Sequence, residues 1–198
     1  MTAAAMPELP SIRTQMLERL IRAGSDVWQE LQQKTGPRHH LFVPCDHRDA
    51  YEALRRLRSR AATFLELGSA AGVVTILADM LGYEACGIEI DPWLVQRSIQ
   101  LAEQFGSRAT FAEGSFVPEA YQHDVEHLAD DRITITEGAS AFAELGLELD
   151  DFDLVFAYPW PGEEDWLHTM VRGHARPGAI LLTYDSRDGF VETVIGDR

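Results

Sequence analysis

The apolar positions of this chain change period near residue 60. Before that point they recur at steps of three and four. Met16, Leu20, Ile21, Val27 and Leu31 do so between Ser11 and about Gln33, which predicts helix. Gly24-Ser25 interrupts the run and predicts a split into two helices, with Ser25 or Asp26 capping the second. Thr35-Gly36-Pro37 stops it. His39 to Asp46 reads as a short irregular or extended segment. His47 to Arg60 predicts a further helix with Tyr51, Leu54 and Leu57 on one face. Met1 to Pro10 reads as a tail.

From Thr63 onward short apolar runs alternate with helical patterns. Strands are predicted at Thr63–Leu67, Ala85–Ile90, Ala109–Ala112, Phe152–Tyr158 and Ala179–Tyr184. Helices are predicted at Val73–Leu81, Trp93–Phe105 and Glu164 to about His174, with Asp91 as N-cap and Pro92 in the first turn of the second. Such alternation predicts a mostly parallel sheet with helices on both faces. Two similar phrases, Thr110–Phe116 and Thr134–Ser140, compete for the end of the third strand. The first lies at the natural distance after the second strand and is preferred, which makes Val117 to Arg132 an insertion. After Asp185 there is room for one strand, near Phe190 to Ile195. The expected organisation is a tail and helical lid or brace over residues 1–60 and a core over 61–198, within one domain.

The chain has 198 residues, enough for one ordinary core, and a formal net charge of −15. A surface that negative disfavours nucleic acid as a partner and favours a small molecule or a basic or neutral protein. Arg55, Arg56, Arg58 and Arg60 form a basic run that reads as a solvated helix face. Cys45 and Cys86 fit neither a disulfide scaffold nor a zinc spacing, and Cys86 reads as a buried thiol. The N-terminus lacks the features of a signal peptide, and no apolar run nears the ~20 residues of a membrane span. A soluble, cytoplasmic protein is expected, and a dimer is compatible with the sequence. His39, His40 and Asp46 show no metal-ligand spacing; a lid role suits them better, and no metal is expected.

The candidate chemistry centres on Glu66-Leu67-Gly68-Ser69-Ala70-Ala71-Gly72. A strand ending in a glycine turn before a helix presents backbone N–H groups to the polar end of a nucleotide-like ligand. A dinucleotide fingerprint fails, because Ala70 and Val73 stand where glycines would be needed. An acidic residue two positions before the first glycine suits a ligand with a cationic ammonium group.

This pattern resembles the first motif of class I methyltransferases, carried by Glu66, Gly68, Ala70 and Gly72, with Ser69 in the turn. The resemblance implies a Rossmann-like, doubly wound α/β fold, S-adenosylmethionine as cofactor, and methyl transfer to a nitrogen or oxygen nucleophile. Against this family, the room for one strand after Asp185 implies a sheet shortened at its C-terminal end. Glu89, ending the second strand, stands where the family's acidic residue binds both ribose hydroxyls. Ile90 would pack on the adenine. Gly114-Ser115 stands where the adenine amino group is met, with Ser115 in place of the commoner Asp and Glu113 as a substitute. After the fourth strand, Tyr158-Pro159-Trp160-Pro161 is similar to the Asp/Asn-Pro-Pro-aromatic motif of amine-methylating members but lacks the Asp or Asn. A rigid proline turn is the structural alternative. On the functional one, Tyr158 and Trp160 wall the acceptor pocket, and Glu163 or Glu164 attracts a cationic amine. The run Gly87 to Val95 is similar to a small lysine methyltransferase family that modifies mitochondrial ATP synthase and nucleotide translocase. Two other functions stay open: a non-catalytic module that binds S-adenosylmethionine or its product, and a nucleotide-dependent oxidoreductase.

Overall fold

The computed structural model describes residues 12–35, 45–126, 133–185 and 187–196. The tail, His39, His40 and residues 127–132 of the expected insertion lie outside the described residues. Two helices lead: α1 (Ile12–Thr35) and α2 (His47–Leu57). Then follow β1 (Thr63–Leu67), α3 (Val73–Met80), β2 (Glu84–Glu89), α4 (Pro92–Phe105) and β3 (Thr110–Glu113). A 3-10 turn at Glu119–Tyr121 and the short helices α5 (Gln122–Glu126) and α6 (Phe142–Leu145) precede β4 (Leu154–Ala157). The chain continues through α7 (Glu164–His174), β5 (Ile180–Asp185) and β6 (Gly189–Val194).

The six strands lie in the order β3-β2-β1-β4-β5-β6. All pairs are parallel except β5–β6, which is antiparallel. The order reverses between β1 and β4, so their C-terminal ends open the crevice where such sheets hold ligands. Buried residues of α2 and α3 (Leu54, Leu57, Val74) pack with Phe64, Leu154 and Phe156 in one core cluster. A separate cluster joins Leu65, Ile88 and Val155 to Phe142, Leu167 and Met170. Alternate residues of β1 and β4 thus feed opposite faces, as the two-residue strand period requires. Among the described residues one strand, β6, follows β5, as expected.

Three local expectations need correction. The helix at residues 12–35 is continuous through Gly24-Ser25. Ser25 Oγ donates to Ile21 O (3.0 Å), one turn back, and caps nothing. Gly24 is small for packing, since a Cβ there would meet Val73 Cγ2 at 2.3 Å. Helix α2 ends at Leu57 and not at Arg60. Arg58 is not a solvated member of the basic run. Its guanidinium donates to Ala61 O, Leu81 O and Gly82 O, tying the turn after α2 to the turn after α3. Arg55, Arg56 and Arg60 are exposed, as expected.

The preferred phrase forms β3, and the competing one lies beside it. Ser115 and Ser140 make a parallel bridge, with Ser115 N–H donating to Ala139 O and Ala141 N–H to Ser115 O, both at 2.9 Å.

Candidate functional site

A cavity of about 680 Å³ lies over the C-terminal ends of β1, β2 and β4. Its floor is the glycine turn. Gly68 has φ +75°, and a Cβ added there would meet nothing within 4 Å, so its backbone faces open space. Gly72 has φ +72° and caps α3, where a Cβ would press on Phe111 at 2.6 Å and Ser98 at 2.9 Å. A left-handed backbone and close packing together make this position glycine. Between them Ala70 also has positive φ (47°), and its carbonyl accepts from Ser98 Oγ at 2.9 Å.

Two buried carboxylates frame the turn. Glu89 Oε2 accepts from Ala70 N–H (2.8 Å), and Oε1 accepts from Ile90 N–H (2.8 Å) and Asp91 N–H (2.9 Å). A carboxylate has roughly four lone-pair directions, so one is left for a ligand hydroxyl. Burial holds the Glu89 carboxyl above the usual range, against these backbone bonds. Asp91 caps α4 by accepting from Trp93 N–H and Leu94 N–H, as the sequence predicts.

Glu66 sits deeper. Its Oε2 accepts from Thr75 N–H (2.9 Å) and Thr75 Oγ1 (2.5 Å) at the start of α3. Burial, with the Glu89 charge adding to it and Thr75 opposing, pushes its carboxyl up to about 8. Ser69 Oγ is buried on the cavity wall with no partner.

The other flank comes from β4 and α7. Tyr158, Trp160 and Glu163 all line the cavity, together with Ile90 and Gly114. Tyr158 stacks on Tyr184 of β5, with centroids 4.8 Å apart and planes 13° apart. Glu163 Oε1 accepts from Ile133 N–H (2.5 Å) and Thr134 N–H (3.1 Å), pinning the 133–136 loop to α7. Glu163 Oε2 and Trp166 Nε1 are buried without partners. Glu164 also lines the cavity, but its Oε2 accepts from Gly162 N–H at 2.7 Å.

Ser115 is not brought to the cavity. It is buried, its Oγ donates to Thr136 O (2.8 Å) and accepts from Val117 N–H (3.2 Å), and its neighbours Gly114 and Phe116 do the lining. Its hydroxyl ties β3 to the 133–136 loop. Glu113 is exposed and is not a lining residue. The structure instead adds residues that sequence reasoning missed: Trp28 and Leu31 of α1, Cys45, His47, Trp166 and Tyr184. For α1, the short-period apolar face was the available signal. His47 carried none, because it stands at the first turn of a helix well before β1. Burial lowers the His47 pKa, which keeps its imidazole neutral near pH 7. Burial pushes the Cys45 thiol up, so it is no thiolate nucleophile. Among the described residues no group of three or more His, Cys, Asp and Glu converges to hold a metal ion.

No family model matches the chain. The ribosomal protein L11 methyltransferase of Thermus thermophilus is 38% identical over 80 residues, 40% of this chain and 30% of that protein. An ATP synthase lysine N-methyltransferase of Xenopus laevis is 37% identical over 54 residues, 27% of this chain and 24% of that one. The chain thus spans less than a third of the length of these curated relatives. Among solved structures, an RNA methyltransferase from Salinibacter ruber in complex with S-adenosyl-L-homocysteine superposes with a TM-score of 0.55. It shares 18% identity, covering 79% of this chain and 95% of that one. An O-methyltransferase from Bacillus cereus gives a TM-score of 0.53 at 14% identity, covering 89% and 68%. The fold is therefore that of the class I, Rossmann-like methyltransferases.

Proposed function

We propose that this protein is an S-adenosylmethionine-dependent methyltransferase that acts on a nitrogen or oxygen nucleophile of a small molecule or a protein side chain. One observation carries the proposal. The glycine turn after β1 and the carboxylate ending β2 close on each other through the Ala70 N–H to Glu89 Oε2 bond, at the floor of a cavity of cofactor size. Sites for cofactors and small ligands run to roughly 300–1,000 Å³. The residues fit the group. Gly68 leaves room for close backbone approach, Ser69 Oγ lacks a partner, and Glu89 keeps one lone pair for a ribose hydroxyl. Ile90 and Gly114 would flank the adenine. Both curated relatives named above are methyltransferases, and both solved neighbours are too.

The cofactor supplies a methyl group already activated on a positively charged sulfur. The protein's part is then to align the nucleophile and exclude water. Tyr158 and Trp160 hold the acceptor over the tip of β4. His47, neutral and on the same cavity, is placed to take a proton from an acceptor that arrives protonated. Two free cysteines and no helix long and apolar enough to cross a membrane, among the described residues, fit a reducing cytoplasmic setting.

Calorimetric titration with S-adenosylhomocysteine tests the proposal. Binding in the micromolar range is expected for the parent, with about 100-fold loss in Glu89→Ala. A parent that does not bind removes the proposal. Unchanged binding in the variant removes the site assignment and spares the class. A protein that binds but yields no S-adenosylhomocysteine with any acceptor would be a binding module.

A further inference from the structure

Glu163 is 6% exposed, yet one of its carboxylate oxygens has no partner. Leaving a buried charged oxygen unpaired is costly, and the cost is recovered when a donor reaches it. Its other oxygen accepts two backbone N–H bonds from the 133–136 loop, which fix the side chain in place. Among the described residues no Lys, Arg or His forms an ion pair with it. Among the described residues, then, no cationic side chain supplies the partner that a buried carboxylate calls for.

The surroundings narrow what could supply it. Glu163 lies just before α7, on the loop that follows β4. The glycine turn and Glu89 follow β1 and β2, and in the strand order β1 separates β2 from β4. A ligand held by the turn and Glu89 leaves the β4 end to a second molecule. Phe116, Tyr158, Trp160, Trp166 and Tyr184 line the cavity around that end. Phe116 and Trp166 stack with planes 5° apart, and Tyr158 and Tyr184 with planes 13° apart. Aromatic faces attract cations, and a net charge of −15 draws them to the molecule.

We propose that the methyl acceptor is an alkyl amine, and that Glu163 Oε2 is the group that receives its N–H. This rests on the methyltransferase reading above. The bound ammonium first gives up one proton to water, and the neutral amine's lone pair then forms the new N–C bond. The pair of the broken C–S bond stays with sulfur, and positive charge passes from sulfur to nitrogen. The surplus proton of the methylated ammonium leaves to water. Glu163 therefore faces the atom on which charge develops, where a fixed carboxylate favours the transition state over the neutral amine. An alcohol, neutral when it binds, brings no charge to meet the carboxylate.

The test uses tryptamine and tryptophol, which share an indole and differ in ammonium against hydroxyl. Each is titrated into the full-length protein saturated with S-adenosylhomocysteine. Tryptamine should bind at least 10-fold more tightly than tryptophol. Glu163→Gln, which keeps an acceptor for the Ile133 and Thr134 N–H groups, should abolish that preference while S-adenosylhomocysteine affinity stays within about threefold. Asp165→Asn, which removes an exposed carboxylate two residues away that does not line the cavity, should retain the preference and shows that the loss is not one of general negative charge. Equal affinities, no binding of either probe at 10 mM, or a preference that survives in Glu163→Gln overturns the proposal. So does a Glu163→Gln variant that loses S-adenosylhomocysteine, since Glu163 would then serve the cofactor. A parent that fails to bind S-adenosylhomocysteine overturns the underlying reading instead, and that result is seen before any amine is added.

Discussion

The turn after β1 and the loop after β4 face one cavity but are built differently. Around the turn, the carboxylates are engaged within the chain: Glu66 by Thr75, Glu89 by Ala70, Ile90 and Asp91. Only Ser69 Oγ is left without a partner there, among the described residues. Around the loop, Glu163 Oε2 and Trp166 Nε1 are both buried and unpaired. The first region is rigid before any ligand arrives; the second holds unmet polar capacity. A cofactor common to every turnover suits a preformed cradle, whereas an acceptor site gains selectivity by leaving groups that only the right ligand satisfies.

The largest effect should come from breaking the cradle. Gly72→Ala must carry a left-handed backbone, at about 1–2 kcal/mol. Its methyl also presses on Phe111 and Ser98, and overpacking adds about 1–3 kcal/mol. A total loss of about 2–5 kcal/mol should show as a lower denaturation midpoint. A midpoint unchanged within error would mean that the turn relaxes freely and is not rigid.

Next comes the carboxylate of β2. Glu89→Gln keeps shape and one acceptor oxygen, and should weaken S-adenosylhomocysteine by about 10-fold, against about 100-fold for Glu89→Ala. The graded pair separates hydrogen bonding from simple filling of space. Equal losses in both variants would assign the effect to the negative charge alone.

Glu66 gives a pH signature. Its folded carboxyl titrates near 8 because it is buried, well above an unfolded glutamate near 4.3. The folded state then holds a proton that the unfolded state releases between those values. Stability from this group is complete below the unfolded pKa and is lost as pH rises through the folded one. The slope is up to about 1.4 kcal/mol per pH unit. Urea midpoints measured from pH 5 to 8 should fall more steeply for the parent than for Glu66→Gln. Parallel curves would show that Glu66 is ionised throughout.

The two regions also differ in how far the sequence revealed them. The turn was legible because one short segment contains it: Gly68 and Gly72 need their backbone, and Asp91 caps its own helix. The mostly parallel sheet with helices on both faces followed from the alternation of strand and helix periods. The β4 side depends on residues far apart in the chain. His47, Trp166 and Tyr184 come to one cavity only through tertiary packing, and no local pattern marks it. Gly24 misled for a related reason, because its role is contact with Val73 and not a break in the helix.

Ser115 separates position in the sequence from position in space, with the smallest expected effect. By spacing after β3 it should meet the adenine; in the structure its hydroxyl joins Thr136 O and Val117 N–H. Ser115→Ala removes one donor and one acceptor from buried partners, which should cost about 1–2 kcal/mol of stability. S-adenosylhomocysteine affinity should change by less than about threefold, because Gly114 and Phe116, not Ser115, form the wall. A 10-fold loss of affinity with stability intact would mean that the hydroxyl turns toward the ligand on binding. The β3 end would then belong with the β4 loop, as a region completed by what it binds.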